Sequence, residues 1–192
     1  MSYKKNKIIE IFKHTGSLLE GHFVLSSGLH SDKYFQCAKV LQFPEHLTKF
    51  ARLISNNFKS YKPEVVISPA IGGVVLGTEI GRQLGIRTVF AERKNGKMVI
   101  RRGFNIRPGE RVLIIEDVVT TGGSVQEVKD CVEASKGKII GIGILVDRSN
   151  GSARLHENQF ALINLEVASY SEEDLPDELS MLPIKKPGSR FS

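Results

Sequence analysis

Between Pro63 and Asp147, short and almost wholly aliphatic runs alternate with segments of helical periodicity. No other feature of the chain constrains its fold as strongly. Val65-Val66-Ile67, Thr88–Ala91, Val112–Ile115 and Ile139–Val146 read as strands, and their continuous apolar character is what a sheet covered on both faces requires. Phe160–Leu165 reads as a last strand. Ahead of the first strand, Leu47, Phe50, Ala51, Ile54 and Phe58 follow Pro44 at helical spacing and predict an amphipathic helix over 45–58. Val75, Leu76, Ile80 and Leu84 predict a second helix from Gly72-Gly73 to Gly85. Val125, Val128 and Val132 share one face of a third, with Ser124 as its N-cap. Asn95-Gly96 predicts a tight hairpin between Ala91–Lys94 and Lys97–Arg102. The expected fold class is α/β, a mainly parallel sheet flanked by helices. Residues 1–44 and 169–192 break the rhythm, the latter with Pro176, Pro183 and Pro187. They are expected to form a small N-terminal/C-terminal hood subdomain beside a core of about 45–168 within a single domain, 1–192.

Other signals narrow the class. Cys37 and Cys131 stand alone without CxxC spacing, which argues against a disulfide framework or a zinc cluster and for two small buried hydrophobes. No apolar stretch is long enough to span a bilayer, and residues 1–20 carry four lysines but no secretory core. A soluble, cytoplasmic protein is expected. GxxxxGK[ST] is absent, and Gly141-Ile142-Gly143 lies inside a strand without the rest of a dinucleotide fingerprint, so kinase and nicotinamide chemistry fall away. Net charge is +6, and 7 of the 27 Lys and Arg residues fall in the 19 residues from Arg93 to Arg111, opposed there only by Glu110. Such a cluster suits an anionic ligand or a solvated hairpin. With only Phe104 for stacking, it does not single out nucleic acid.

Ligands of open parallel sheets bind beyond the carboxyl ends of the strands. Three such ends carry chemistry: Ser68–Gly73, Glu116–Ser124, and Asp147-Arg148. In the second, Glu116 and Asp117 are followed by Val118, Val119, Thr120, Thr121, Gly122, Gly123 and Ser124. Hydroxyls, glycines and free N–H groups at a helix start make a phosphate site. Two acids beside it would repel a phosphate unless they face a ribose diol or help to hold a metal. The combination points to a sugar phosphate; the plainer alternative is a capped helix after a strand, with solvated acids.

Ile114 to Ser124 resembles the phosphoribosyl-diphosphate signature of type I phosphoribosyltransferases. Around it, Leu25–Phe35, Ala91–Lys94 with Lys97, Asp147-Arg148 and the ending Lys186–Arg190 resemble the short form of the orotate phosphoribosyltransferase family, over nearly the whole chain. The resemblance implies transfer of ribose 5-phosphate from phosphoribosyl diphosphate to orotate with Mg²⁺, by a homodimer whose basic loop acts in trans. It implies ribose contacts from Glu116 and Asp117, and a 5-phosphate cradle from Thr120 to Ser124. Pyrophosphate would meet the Ala70–Gly73 loop and the catalytic cations Arg93, Lys94 and Lys97. Orotate would be held by Thr120 and by Arg148, whose guanidinium matches the carboxylate that separates orotate from uracil. No side chain is assigned to the metal, and neither a membrane nor a nucleic acid is an expected partner.

Three positions depart from the family's longer form: Ser26 and Gly72 stand where lysines are common, and Val99 where a loop histidine is. Arg101 and Arg102 are the candidates to compensate. Two other readings stay open at this point: a purine phosphoribosyltransferase, which has no need of Arg148, and a nucleic-acid-binding regulator that keeps the phosphoribosyl site as a sensor.

Overall fold

Strand order is what makes a site in this chain. A computed structural model describes residues 2–25, 28–165 and 168–185, and it divides the chain into two compact units, 41–165 and a smaller one from 1–40 with 166–192. In the larger unit, α3 (Pro44–Ser55) precedes β3 (Val65–Pro69), α4 (Gly72–Leu84), β4 (Arg87–Lys94), β5 (Lys97–Ile100), β6 (Arg111–Val119), α5 (Gly123–Ala134), β7 (Lys138–Asp147) and β8 (Gln159–Asn164). They form a six-stranded sheet of order β5-β4-β3-β6-β7-β8, parallel except for the β4–β5 hairpin. The mainly parallel α/β sheet read from the aliphatic runs is therefore present. From β3 the chain moves through α4 to β4 on one side; from β6 it moves through α5 to β7 on the other. The gap between the ends of β3 and β6 is thus a topological switch point, where helices leave a crevice open.

Right-handed crossovers running in opposite directions put their helices on opposite faces, and the side chains follow. Val65, Ile67, Val112, Ile114, Ile142 and Ile144 join Val125, Val128 and Val132 of α5 in one buried cluster. Val66, between Val65 and Ile67, faces α4 instead, because a Cβ on Gly77 would sit 3.4 Å from it. Gly141 and Gly143 of β7 belong to this second face. A Cβ at Gly141 would lie 2.5 Å from the Phe58 ring, and one at Gly143 would lie 2.7 Å from Ile54 and Ile115. Those glycines exist for close packing, which is why they carry no nucleotide fingerprint.

Several local expectations shift. The helix expected over 45–58 ends at Ser55, and Phe58, 2% exposed, packs on β7 from the turn beyond it. Ser124 is not the N-cap of α5: Gly122 holds that place at φ 83°, a left-handed conformation that glycine adopts without strain. The strand read as Val112–Ile115 runs on to Val119, so Glu116 and Asp117 sit on β6 itself and not in the loop. Cys37 is buried, but Cys131 is only half so, its thiol donating to the Met98 carbonyl at 3.3 Å. The hairpin forms at Asn95-Gly96, with φ of 52° and 80°, although β5 stops at Ile100.

The smaller unit contains α1 (Ser2–His14), β1 (Leu18–Val24), β2 (His30–Phe35), β9 (Ser169–Tyr170), α6 (Asp177–Ser180) and β10 (Ile184–Lys185). Its sheet runs β10-β1-β2-β9, with β1 parallel to β10 and antiparallel to β2. Phe12 and Phe35 meet edge to face in its core at 6.0 Å. His22 and His30, on adjacent strands and both buried, bring Nε2 and Nδ1 within 2.6 Å. Helix α2 (Ala38–Leu41) carries the boundary between the two units.

Candidate active site

Three strand ends converge at the switch point. Val119, the last residue of β6, pairs in register with Asp147, the last of β7, and the N–H of Arg148 donates to the Val119 carbonyl at 2.8 Å. Arg148 is therefore anchored directly beside Thr120, where the glycine-rich loop begins. On the other side, β3 ends at Pro69, and Ala70 donates its N–H to the Ala91 carbonyl at 2.7 Å before α4 starts at Gly72.

The carboxylates dictate what can stand at the start of α4. A Cβ at Gly72 would lie 2.5 Å from both carboxylate oxygens of Asp117. One at Gly73 would lie 2.9 Å from the Ile115 carbonyl and 3.1 Å from Glu116 Oε1. The space that a lysine side chain would leave through at position 72 is filled by Asp117. Glu116 is buried, and its Oε1 accepts the N–H of Asp117 at 3.0 Å. Burial, and then the neighbouring Asp117 charge, push its carboxyl well above the ordinary glutamate range. Asp117 is partly exposed, so the two adjacent acids differ in environment.

The loop after β6 is built for close approach. Thr120, Thr121 and Gly123 are exposed, and the Gly122 carbonyl accepts the Gln126 N–H at 2.9 Å as the first turn of α5 closes. The first N–H groups of such a helix have no intrahelical partner and present a partial positive charge. Gly122 is required twice over, by its φ and because a Cβ there would lie 2.7 Å from Leu155. Leu155 is itself held, its N–H donating to Gln159 and its carbonyl accepting Lys129 Nζ at 2.7 Å.

The basic stretch separates into two groups. Lys94 and Lys97 face each other across the hairpin end, exposed and with no acid partner among the described residues. Four of the other five are tied down. Arg93 pairs with Glu127 at 2.7 Å, Arg101 and Arg102 both pair with Glu92 at 2.7 and 2.6 Å, and Arg111 pairs with Glu64 at 3.5 Å. Hydrogen bonding from Arg102 holds the Glu92 carboxyl below its ordinary range. Arg101 and Arg102, the candidates to compensate for the missing cations, thus form a clasp on Glu92 of β4. Glu110, the acid within this stretch, accepts two bonds from Arg87 at 3.1 and 2.6 Å and the main-chain N–H of Arg107 at 2.8 Å. Val99 stands opposite Glu92 in the hairpin.

The structure thus brings together Glu116 to Ser124, Gly72, Gly73 and Arg148. Lys94 and Lys97 lie at the tip of the β4–β5 hairpin. Ser26, Ser27 and Lys186–Arg190, which carry part of the resemblance, lie outside the described residues. Sequence reasoning missed Glu92, Glu127 and Leu155. The first was accessible, since strand alternation sets Glu92 one residue before Arg93 and near two arginines across a predicted hairpin. No local pattern announces the other two.

A doubly wound sheet with acids and a glycine-rich helix start at its switch point is the architecture of a phosphoribosyltransferase, and residues 37–172 match the phosphoribosyl transferase domain family. The chain is 57% identical to the orotate phosphoribosyltransferase of Chlorobium phaeobacteroides, over 95% of each chain, and 48% identical to that of Desulforamulus reducens, over 97% of each. It belongs to the orotate phosphoribosyltransferase family. Among solved structures, it shares the fold of the orotate phosphoribosyltransferase from Aeropyrum pernix, with a TM-score of 0.68 at 23% identity over 81% of this chain and 92% of that one. The adenine phosphoribosyltransferase from Thermoanaerobacter pseudethanolicus has the same fold, with a TM-score of 0.60 at 18% identity over 69% of this chain and 88% of that one.

Proposed function

We propose that the chain is an orotate phosphoribosyltransferase of pyrimidine biosynthesis. It breaks the bond between ribose C1 and the diphosphate of 5-phospho-α-D-ribose 1-diphosphate and joins C1 to a ring nitrogen of orotate. The products are orotidine 5′-phosphate and pyrophosphate. The observation that carries this reading is the main-chain bond from Arg148 to Val119. It sets a cation suited to a carboxylate beside a loop suited to a phosphate. The match to Chlorobium phaeobacteroides orotate phosphoribosyltransferase at 57% identity supports it.

In this reading the Thr120–Ser124 loop and the first N–H groups of α5 hold the 5-phosphate. Asp117 and Glu116 accept hydrogen bonds from the ribose hydroxyls, and the Ala70–Gly73 loop meets the diphosphate through its main chain. As the C1–oxygen bond breaks, positive charge grows on the ribose ring and negative charge on the leaving group. Fixed cations at Lys94 and Lys97, joined by Arg93 once it leaves Glu127, stabilise charge that is present only in the transition state. Arg148 and Thr120 hold orotate, and the arginine's two parallel donors separate it from uracil.

The donor chemistry fits Mg²⁺, which takes one or two carboxylates and completes its shell with substrate phosphates and water. Asp117, partly exposed at the switch point, is the side chain that would share the ion with the diphosphate. When bound, Mg²⁺ supplies positive charge to the departing pyrophosphate. The enzyme is a cytoplasmic homodimer in this reading, its hairpin reaching the partner's site. No described helix is long and apolar enough to cross a membrane.

The test is an absorbance assay of orotate consumption, run beside adenine, hypoxanthine, xanthine and uracil. Orotate loss that needs both the diphosphate and Mg²⁺ is the expected result. Turnover of a purine in its place would discard Arg148 as the reader of the base.

A further inference from the structure

Beyond the residues assigned to substrate, one buried acid stands directly before Arg148. Asp147 closes β7 as a residue only 4% exposed, and no cation pairs with it among the described residues. A carboxylate is costly to bury, and a position that keeps one has a specific bond to make. Here Oδ1 accepts the N–H of Ser149 at 2.8 Å, bridging over Arg148. Arg148 is pinned within that bridge by its own N–H on the Val119 carbonyl, and the Asp147 carbonyl accepts the Leu165 N–H at 2.9 Å. Ser149 continues the lock. Its Oγ accepts the Ala153 N–H at 3.1 Å, and its carbonyl accepts the Ser152 hydroxyl at 2.6 Å.

We propose that Asp147 is a positioning residue for orotate, its carboxylate fixing the 147–149 turn so that the Arg148 guanidinium is held at the base-binding edge. This rests on the reading of Arg148 as the orotate contact. A bidentate arginine–carboxylate pair tolerates little misalignment, so a loosened turn weakens orotate binding without touching the phosphate loop. The chemistry of Asp147 enters only through one accepted hydrogen bond, and an amide oxygen can accept that bond as well.

Steady-state kinetics on the full chain test it. Asp147→Ala is expected to raise KM for orotate about tenfold while KM for the diphosphate and kcat at saturating orotate stay within about threefold, the pattern of lost ground-state positioning. Asp147→Asn, which keeps the acceptor, is expected to restore orotate KM to within about threefold of the parent. If the alanine variant fails to fold, Asp147→Ser, with a shorter and weaker acceptor, is expected to give an intermediate orotate KM. An orotate KM unchanged in the alanine or serine variant, or a rise matched by the diphosphate KM, would overturn the proposal. Arg148→Ala separates the two ideas. If it leaves orotate KM unchanged, the reading of Arg148 has failed; if it raises KM while Asp147→Ala does not, only the positioning role has.

Discussion

Arg93 Nη2 lies 2.7 Å from Glu127 Oε2, and this contact ties the basic hairpin to helix α5 of the same chain. Arg93 also donates to the Gly96 carbonyl at 3.0 Å, so the arginine closest to the hairpin turn is committed at both ends of its guanidinium. In the proposed reading, Arg93 has to leave this partner before it reaches pyrophosphate. The pair is half exposed, which puts its worth at about 0.2–1 kcal/mol.

Glu127→Gln is therefore expected to lower KM for the diphosphate by about 1.4- to fivefold, the range such a pair corresponds to. Initial rates at fixed ionic strength would show this. A higher KM would mean that Glu127 holds Arg93 in its working position.

Glu116 gives a stability signature with a definite sign. Its folded carboxyl titrates above the ordinary range near 4.5, through burial and then through Asp117. The unfolded chain therefore releases this proton first, and as pH climbs above 4.5 the group costs the folded state increasing stability until its own raised value is passed. Glu116→Gln, which cannot ionise, is expected to raise Tm at pH 7.5 and to leave it unchanged at pH 4, although activity falls. Equal Tm shifts at both pH values, by thermal melts in matched buffers, would contradict that assignment.

Gly122 combines a left-handed φ with a contact that no Cβ could share with Leu155. Gly122→Ala is expected to cost about 1–2 kcal/mol from backbone conformation alone, plus the clash. Leu155→Ala in the same chain should recover the clash but not the backbone part. A denaturation series on the two single variants and the double measures each contribution.

In the smaller unit, the His22–His30 bond predicts a local stability effect. Truncating His22 leaves a buried nitrogen on His30 without its partner, at a cost of about 1–3 kcal/mol. His22→Ala should lower the urea midpoint accordingly. The same midpoint as the parent would mean that solvent replaces the bond.

The fold was legible because nearly every signal agreed at several levels. Val65–Ile67, Val112–Ile115 and Ile139–Val146 are too apolar to be anything but doubly covered strands, and Asn95-Gly96 allows one kind of turn. Boundaries failed where side-chain chemistry and backbone geometry part company. Glu116 and Asp117 look like loop residues by polarity, yet the backbone keeps its pairing with β7 through them to Val119. Ser124 has the right chemistry for a cap, but Gly122 has the conformation, and conformation decides. The site's motif was readable as a run of residues. Its supports were not, since Glu127, Leu155 and Asp147 act across gaps of tens of residues or through main-chain bonds that leave no periodic trace.

The bond between Arg148 and Val119 joins two strands whose tasks are otherwise independent. In the proposed reading, the 5-phosphate loop and the two ribose-binding acids hang from β6, whereas the arginine that reads the base hangs from the end of β7. On that reading, rewriting the few positions after Asp147 would change the accepted nucleobase while leaving the donor half of the chemistry intact. Selectivity would then belong to an interchangeable edge of the scaffold.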